Sequence, residues 1–198
     1  MRQPEITILA IDPGSRKLGW AVVRSRDQVL QRIASGVIRP QGELVVRLGQ
    51  ILTQVGKLLD DHVVAALAIE SAFVHDNPRT ALVLGQARGI PIALAAARGL
   101  PVHEYAPAHV KRALVGSGRA DKHQMQQMVK AVLGLAELPG EDEADALAVA
   151  VTHLRQGAFA QYAVPATAAL VVPELALTPA RLIYLQAVQR AKAAGGAR

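Results

Sequence analysis

With 198 residues, 51% of them hydrophobic, the chain can bury one substantial core and needs no second domain to account for its length. It has no cysteine, which excludes a disulfide framework, a zinc–thiolate site and a thiol nucleophile. The formal net charge of +6 is unevenly placed: residues 1–40 hold seven Lys/Arg against three acids, and residues 98–130 hold six against two.

Met1-Arg2-Gln3-Pro4-Glu5 leads directly into a strand-like run and does not read as a signal peptide. No uninterrupted apolar stretch approaches the ~20 residues that span a bilayer, so a cytoplasmic protein without a membrane partner is expected. Ile6–Asp12 is the first strand, Leu18–Val23 the second and Val29–Ile38 the third, with Arg26-Asp27-Gln28 as a turn between the last two. From Glu43 to His62 the period becomes helical, with Leu44, Val45, Leu48, Ile51, Leu52, Val55, Leu58 and Leu59 forming one stripe. Val63–Ile69 is a fourth strand.

Asn77 and Pro78 read as N-cap and first residue of a helix that Gly99 stops, and Pro91 inside it predicts a kink or break. Pro101–Tyr105 is a fifth strand and Pro107–Leu114 a short helix. Gly116-Ser117-Gly118 is a loop, and Asp121 with Gln124 resembles a capping box for the helix Gln124–Leu133. After the turn at Pro139-Gly140 a last core helix covers residues 142–155. The order of elements argues for an α/β fold: a five-stranded mixed sheet, three antiparallel strands then parallel ones, flanked by helices. A domain over residues 1–160 is expected, followed by a peripheral or flexible extension over 161–198.

Three of these elements end or begin in acid. The first strand delivers Asp12 to its tip and breaks at Pro13-Gly14-Ser15, and the fourth delivers Glu70. Asp142 and Asp145, three residues apart, share one helix face. Any one of these acids alone reads as a solvated turn or a helix end complementing its dipole. Together they suggest an oxygen-ligand site for Mg²⁺ or Mn²⁺. Two such ions, roughly 3.5–4 Å apart, suit phosphodiester hydrolysis. A basic surface around an acidic pocket fits a polyanionic substrate, as it also fits an ordinary basic protein.

Ile11-Asp12-Pro13-Gly14-Ser15 with Gly19, Ile69-Glu70-Ser71, and Leu84-Gly85-Gln86-Ala87-Arg88-Gly89 resemble the RuvC Holliday-junction endonucleases. So do Glu104-Tyr105-Ala106, Val110-Lys111, the run Gly116 to Lys122, and Asp142-Glu143-Ala144-Asp145-Ala146-Leu147-Ala148 with Thr152-His153. The ordered set covers roughly residues 6–155. The resemblance implies an RNase H-like fold and a homodimer. It also implies symmetric nicking of two strands of a four-way DNA junction to give 5′-phosphate and 3′-hydroxyl ends, in recombination and repair. By the family pattern Asp12, Glu70, Asp142 and Asp145 are the metal-binding catalytic acids, the position of Asp142 being the one that varies. Phe73 falls at an aromatic position that stacks on unpaired bases at the junction centre. Lys111 and Lys122 match basic positions near the scissile phosphate, with Arg79, Arg88, Arg112 and Arg119 as further phosphate contacts. A branch-migration partner, the RuvA–RuvB complex, is implied as well. Asp76 stands where the family commonly has lysine, and the chain beyond Tyr162 exceeds the usual family length.

Two other readings compete on the residues alone. An actin-like phosphotransferase also follows a strand with Asp-x-Gly, but requires a repeated second domain for which the chain lacks length. A module that binds branched DNA without cutting it leaves all four acids incidental.

Overall fold

The computed structural model describes residues 5–71 and 78–156. Phe73, Asp76, Asn77 and the extension over 161–198 lie outside them. The elements run β1 (Ile6–Asp12), β2 (Leu18–Arg26), β3 (Val29–Ile38), α1 (Leu44–Asp61), β4 (Leu67–Glu70), α2 (Pro78–Ala97), β5 (Val102–Tyr105), α3 (Pro107–Val115), α4 (Lys122–Leu133) and α5 (Glu141–Arg155). The sheet order is β3-β2-β1-β4-β5, antiparallel across the first three strands and parallel from β1 through β4 to β5. This is the mixed sheet expected from the order of elements.

Alternation along β1 divides the core into two. Ile6, Ile8 and Ala10 point to one face, with Ala21 and Val23 of β2 and Ala66 and Ala68 from the β4 side, where α3, α4 and α5 cover them. Leu9 and Ile11 point to the other face, with Leu18, Val22, Leu67 and Ile69, under α1 and α2. Alanines at the centre of the first face let α5 lie close on β1 and β2, and Ala146, Ala148 and Ala150 within α5 are all fully buried. Burying a helix this deeply is favourable through its apolar area, about 25 cal/mol per Å².

The β2–β3 turn has Asp27 and Gln28 both at positive φ, 49° and 66°, the two-residue geometry that matches strand twist in a hairpin. Asp121 caps α4 as a full capping box: its carboxylate accepts from Gln124 N at 2.8 Å, while Asp121 N donates to Gln124 Oε1 at 3.1 Å. Gly99, at φ +68°, follows the end of α2 as expected.

Several boundaries differ from the sequence reading. Strand β4 begins at Leu67 and not at Val63, whose side chain is 98% exposed. The approach segment is tied instead by single bonds, Ala65 N to Thr7 O at 2.8 Å and Leu9 N to Ala66 O at 3.1 Å. Only Ile51, Val55 and Leu59 of the α1 stripe are buried, while Val45 and Leu52 face outward. Helix α2 runs unbroken through Pro91, which is buried, so packing outweighs the lost backbone bond. Helix α2 is long and apolar enough by length and composition to cross a membrane, although Arg79, Gln86 and Arg88 interrupt its apolar run. It packs on α1, however, and sends Arg88 to the sheet.

Candidate active site

The register that pairs Ile11 with Ile69 sets Asp12 and Glu70 at neighbouring strand tips. By alternation both carboxylates fall on the α5 face, one step beyond Ala10 and Ala68. Across β2, Asp12 pairs with Gly19. Gly19 decides how near the helix comes: a Cβ there would stand 1.9 Å from the Asp142 carbonyl oxygen and 3.4 Å from Asp12 Cβ. The start of α5 therefore rests on bare main chain, beside Asp12.

The first turn of α5 carries three acids, and their partners separate them. Glu141 accepts from Lys122 Nζ at 2.6 Å. Glu143 turns toward β3, where Ser35 Oγ donates to it at 2.5 Å and Arg32 Nη1 lies 3.7 Å away. Asp142 has Lys17 Nζ at 3.6 Å, while Asp145, one turn on, faces a small cleft. That cleft, about 190 Å³, is walled by Glu70, Asp145, Lys111 and Lys122 over Val110 and Met125.

Burial and mutual repulsion dominate the electrostatics. Burial first, then Glu70, Asp145 and Asp142, push the Asp12 carboxyl up to about 8, against the pull of Lys122. Burial and then Asp145 raise Glu70 to about 7, opposed by Lys111. Asp145 is raised too, by burial first, with Lys122 and Lys111 opposing and Asp142 and Glu141 adding. The lysines are thus felt by the acids although Lys122 is itself exposed and bonded to Glu141.

A set of oxygen donors that repel one another at neutral pH suits a hard divalent cation, which relieves that repulsion and prefers carboxylate to nitrogen or sulfur. Among the described residues no three acids or histidines close tightly enough on one point to enclose an ion. The carboxylates share a field without forming a finished coordination sphere. On donor chemistry and charge, Asp12, Glu70 and Asp145 fit a metal, with Asp142 at the edge of the group.

The remaining expected contacts scatter. Arg88 is 19% exposed and engaged within the fold, its Nη2 2.5 Å from Glu104 and its Nε donating to the Glu70 carbonyl at 3.4 Å. It braces the β4 tip. Arg119 and Arg112 are exposed on and after α3, and Arg79 is exposed at the start of α2. Phe73 lies outside the described residues. His153 is buried, with Tyr105 Oη and Nδ1 2.5 Å apart, and takes no part in the cleft. Lys17 and the spacing role of Gly19 were not anticipated from the residues; the position of Lys17 just after Asp12-Pro13-Gly14 was the available signal.

A family profile described as "Crossover junction endodeoxyribonuclease RuvC" matches residues 8–153. Curated relatives with that description include one from Solidesulfovibrio magneticus, 47% identical over 151 residues covering 75% of this chain and 89% of the relative. Another, from Anaeromyxobacter dehalogenans, is 49% identical over 165 residues, covering 82% and 86%. Among solved structures, Thermus thermophilus RuvC is similar at TM-score 0.66 and 33% identity, covering 79% of this chain and 95% of that one. The same protein in complex with a Holliday junction substrate gives 0.68 at 33% identity, covering 77% and 96%. The yeast mitochondrial resolvase Ydc2, 14% identical at TM-score 0.61, shares the fold.

Proposed function

The chain belongs to the RuvC family of crossover junction endodeoxyribonucleases, and from that premise we propose that Asp12, Glu70, Asp142 and Asp145 are its catalytic acids. It is a metal-dependent, structure-selective nuclease of RNase H-like fold that resolves four-way DNA junctions. The competing phosphotransferase and binding-module readings fall with that membership. The finer reading takes two Mg²⁺ ions per site, Mn²⁺ being an alternative. The observation that carries the site is the seating of the α5 start on Gly19 beside Asp12, with Glu70 at the neighbouring strand tip, which brings acids from three chain segments into one field.

Bound divalent ions would make water nucleophilic and stabilise the leaving oxygen. The chain's own residues do the rest. Asp12, Glu70 and Asp145, held largely out of water, supply the anionic seat, with Asp142 at its rim. Water adds its oxygen to phosphorus, the P–O3′ bond breaks, and the products are a 5′-phosphate and a 3′-hydroxyl. Lys111 and Lys122 flank the cleft, suited to offset charge growing on the phosphate. Lys122 would exchange Glu141 for the phosphate when DNA arrives. Phe73, by its family position, is proposed to stack at the junction centre, and Arg79 and Arg119 to contact phosphates.

Two cuts related by two-fold symmetry call for two sites, which an isologous homodimer supplies. The outward face of α2, with Leu82 65% exposed, is the proposed interface. A RuvA–RuvB-type branch-migration complex is the proposed partner, in the compartment that holds the DNA. The test is strand cleavage of a synthetic mobile four-way junction with Mg²⁺, Mn²⁺ or EDTA, beside a linear duplex. Paired symmetric nicks in the junction alone, absent in EDTA, are expected. Tight binding without nicks in either metal would refute the catalytic assignment of the four acids.

A further inference from the structure

Glu70 and Asp145 wall the same cleft, yet the charge of Asp145 opposes that of Glu70. Two like charges do not set their own spacing, so other groups must hold β4 and α5 in register. Apolar burial presses α5 onto the sheet, but it is non-directional and leaves the helix free to slide. A hydrogen bond, which weakens steeply when bent, resists that slide.

Tyr105 offers such a bond at each end. It is the register partner of Glu70 across β4 and β5. Its carbonyl oxygen accepts from Ser71 N at 2.9 Å and from Ser71 Oγ at 3.2 Å, so the residue after Glu70 is tied twice to one atom. Its side chain lies on the α5 face and brings Oη within 2.5 Å of His153 Nδ1. His153 stands two turns beyond Asp145 on α5, about 12 Å along the helix. The His103 ring packs on this imidazole at 4.8 Å between centroids, and the Tyr105 ring meets it edge-on at 5.7 Å, which fixes its plane. Both side chains are buried, so water is no ready substitute for either partner. A bonded path thus runs from the helix of Asp145 through His153, Tyr105 and Ser71 to Glu70, and none of the three intermediates lines the cleft.

We infer that Tyr105, His153 and Ser71 are positioning residues of the metal seat, the Tyr105–His153 bond fixing where the helix bearing Asp145 stands against the strand tip bearing Glu70. The inference rests on the nuclease reading above and names the groups that act on its acids from behind. Arg88 clasps the same tip through the Glu70 carbonyl, but it joins that tip to α2 and Glu104 and not to α5.

The test is Tyr105→Phe, which removes one oxygen and leaves the ring. Mn²⁺ binding to the full DNA-free chain is followed by calorimetry, and junction cleavage by the Mn²⁺ concentration that gives half the maximal rate. Both are expected to weaken about tenfold, the scale on which groups behind a metal site act. Junction affinity in EDTA should not change. His153→Asn, whose amide can bond from the place of Nδ1, is expected to keep most of the Mn²⁺ affinity, and His153→Leu to lose it as Tyr105→Phe does. Val55→Ala opens a cavity on the opposite face, so it should lower the melting temperature and leave Mn²⁺ binding as it was. If Tyr105→Phe does not fold, Ser71→Ala carries the same expectation with a smaller shift, since its main-chain N–H still bonds. A lower melting temperature with unaltered Mn²⁺ binding, in Tyr105→Phe or in the Ser71→Ala that replaces it, would overturn the inference and leave the pair as packing. An equal loss of Mn²⁺ binding in Val55→Ala would do the same. An unaltered chain that binds Mn²⁺ but cuts no junction would count against the nuclease reading alone, since the binding shift still decides the positioning.

Discussion

The two faces of the sheet are built to different tolerances. On the α5 face the strand residues are largely small, the helix lies close on β1 and β2, and the acids at the strand tips end up beside its first turn. On the opposite face Leu9, Ile11, Leu18, Val22, Leu67 and Ile69 hold α1 and α2 further off, and those helices pack mainly on one another. They also leave Val45, Val46, Leu52 and Leu82 exposed. The same strands, read at alternate residues, serve positional accuracy on one side and surface for assembly on the other. A change of one methyl group should therefore shift the acids on the first face, and on the second should cost packing alone, about 0.5–1.5 kcal/mol.

The largest effect is expected from Asp12→Asn. Junction cleavage should fall by roughly 10³-fold or more, because the acid facing three others is removed from the seat of the metal. In EDTA the same change should stabilise the fold by about 2–4 kcal/mol at pH 7.5, since a carboxyl raised to about 8 is unfavourable to bury compared with its ionised unfolded state. Loss of activity with a gain in melting temperature is the signature; a loss of both would mean that Asp12 holds the fold together.

Gly19→Val comes next. It drives side-chain atoms into the Asp142 carbonyl, so α5 must shift. A destabilisation of about 1–3 kcal/mol and a cleavage loss of about 10²-fold are expected, the latter from misplacement alone. Retention of full activity would show that the helix start can move without harm.

Acid probes the same face by another route. Burial, then His103, lowers His153 to about 4 from the ordinary 6.5. The unfolded chain therefore binds a proton between those values that the folded chain refuses. Stability from this source is complete above about pH 6.5 and is lost as pH falls toward 4, by roughly 1–3 kcal/mol. Asp12 and Glu70, raised to about 8 and about 7, act with the opposite sign over this range. The contribution is therefore read as the stability of the chain relative to His153→Phe, which should shrink between pH 7.5 and pH 5 in thermal unfolding.

The smallest effect on folding is expected on the other face. Leu82→Glu should change unfolding free energy by no more than about 0.5 kcal/mol. If α2 forms the dimer interface, sedimentation should nonetheless show dissociation, and unchanged association would move the interface elsewhere.

Much of the precise face was legible in the sequence, because it is written locally. Alternation in Ile6–Asp12 marks the strand, the acid at its tip marks the site, and Asp121 with Gln124 marks the start of α4. What escaped depends on distance in space. The apolar run Val63-Val64-Ala65 looks like strand, but only from Leu67 does β5 lie alongside to pair with it. Pro91 looks like a breaker until its burial on α2 is known. Glu143 cannot be told from Asp142 by spacing; Ser35 and Arg32, over a hundred residues earlier, draw it away.

What rests on Gly19 at the start of α5 is a carbonyl, an atom that every amino acid possesses. The helix is consequently seated without reference to the side chain at position 142. That leaves the position open to replacement: another ligand type can be installed there, for example by Asp142→His or Asp142→Glu, while α5 stays where it is. Position 19 has no such latitude. In this arrangement the residue with no side chain is the harder of the two to exchange, and the charged residue opposite it is the one free to drift.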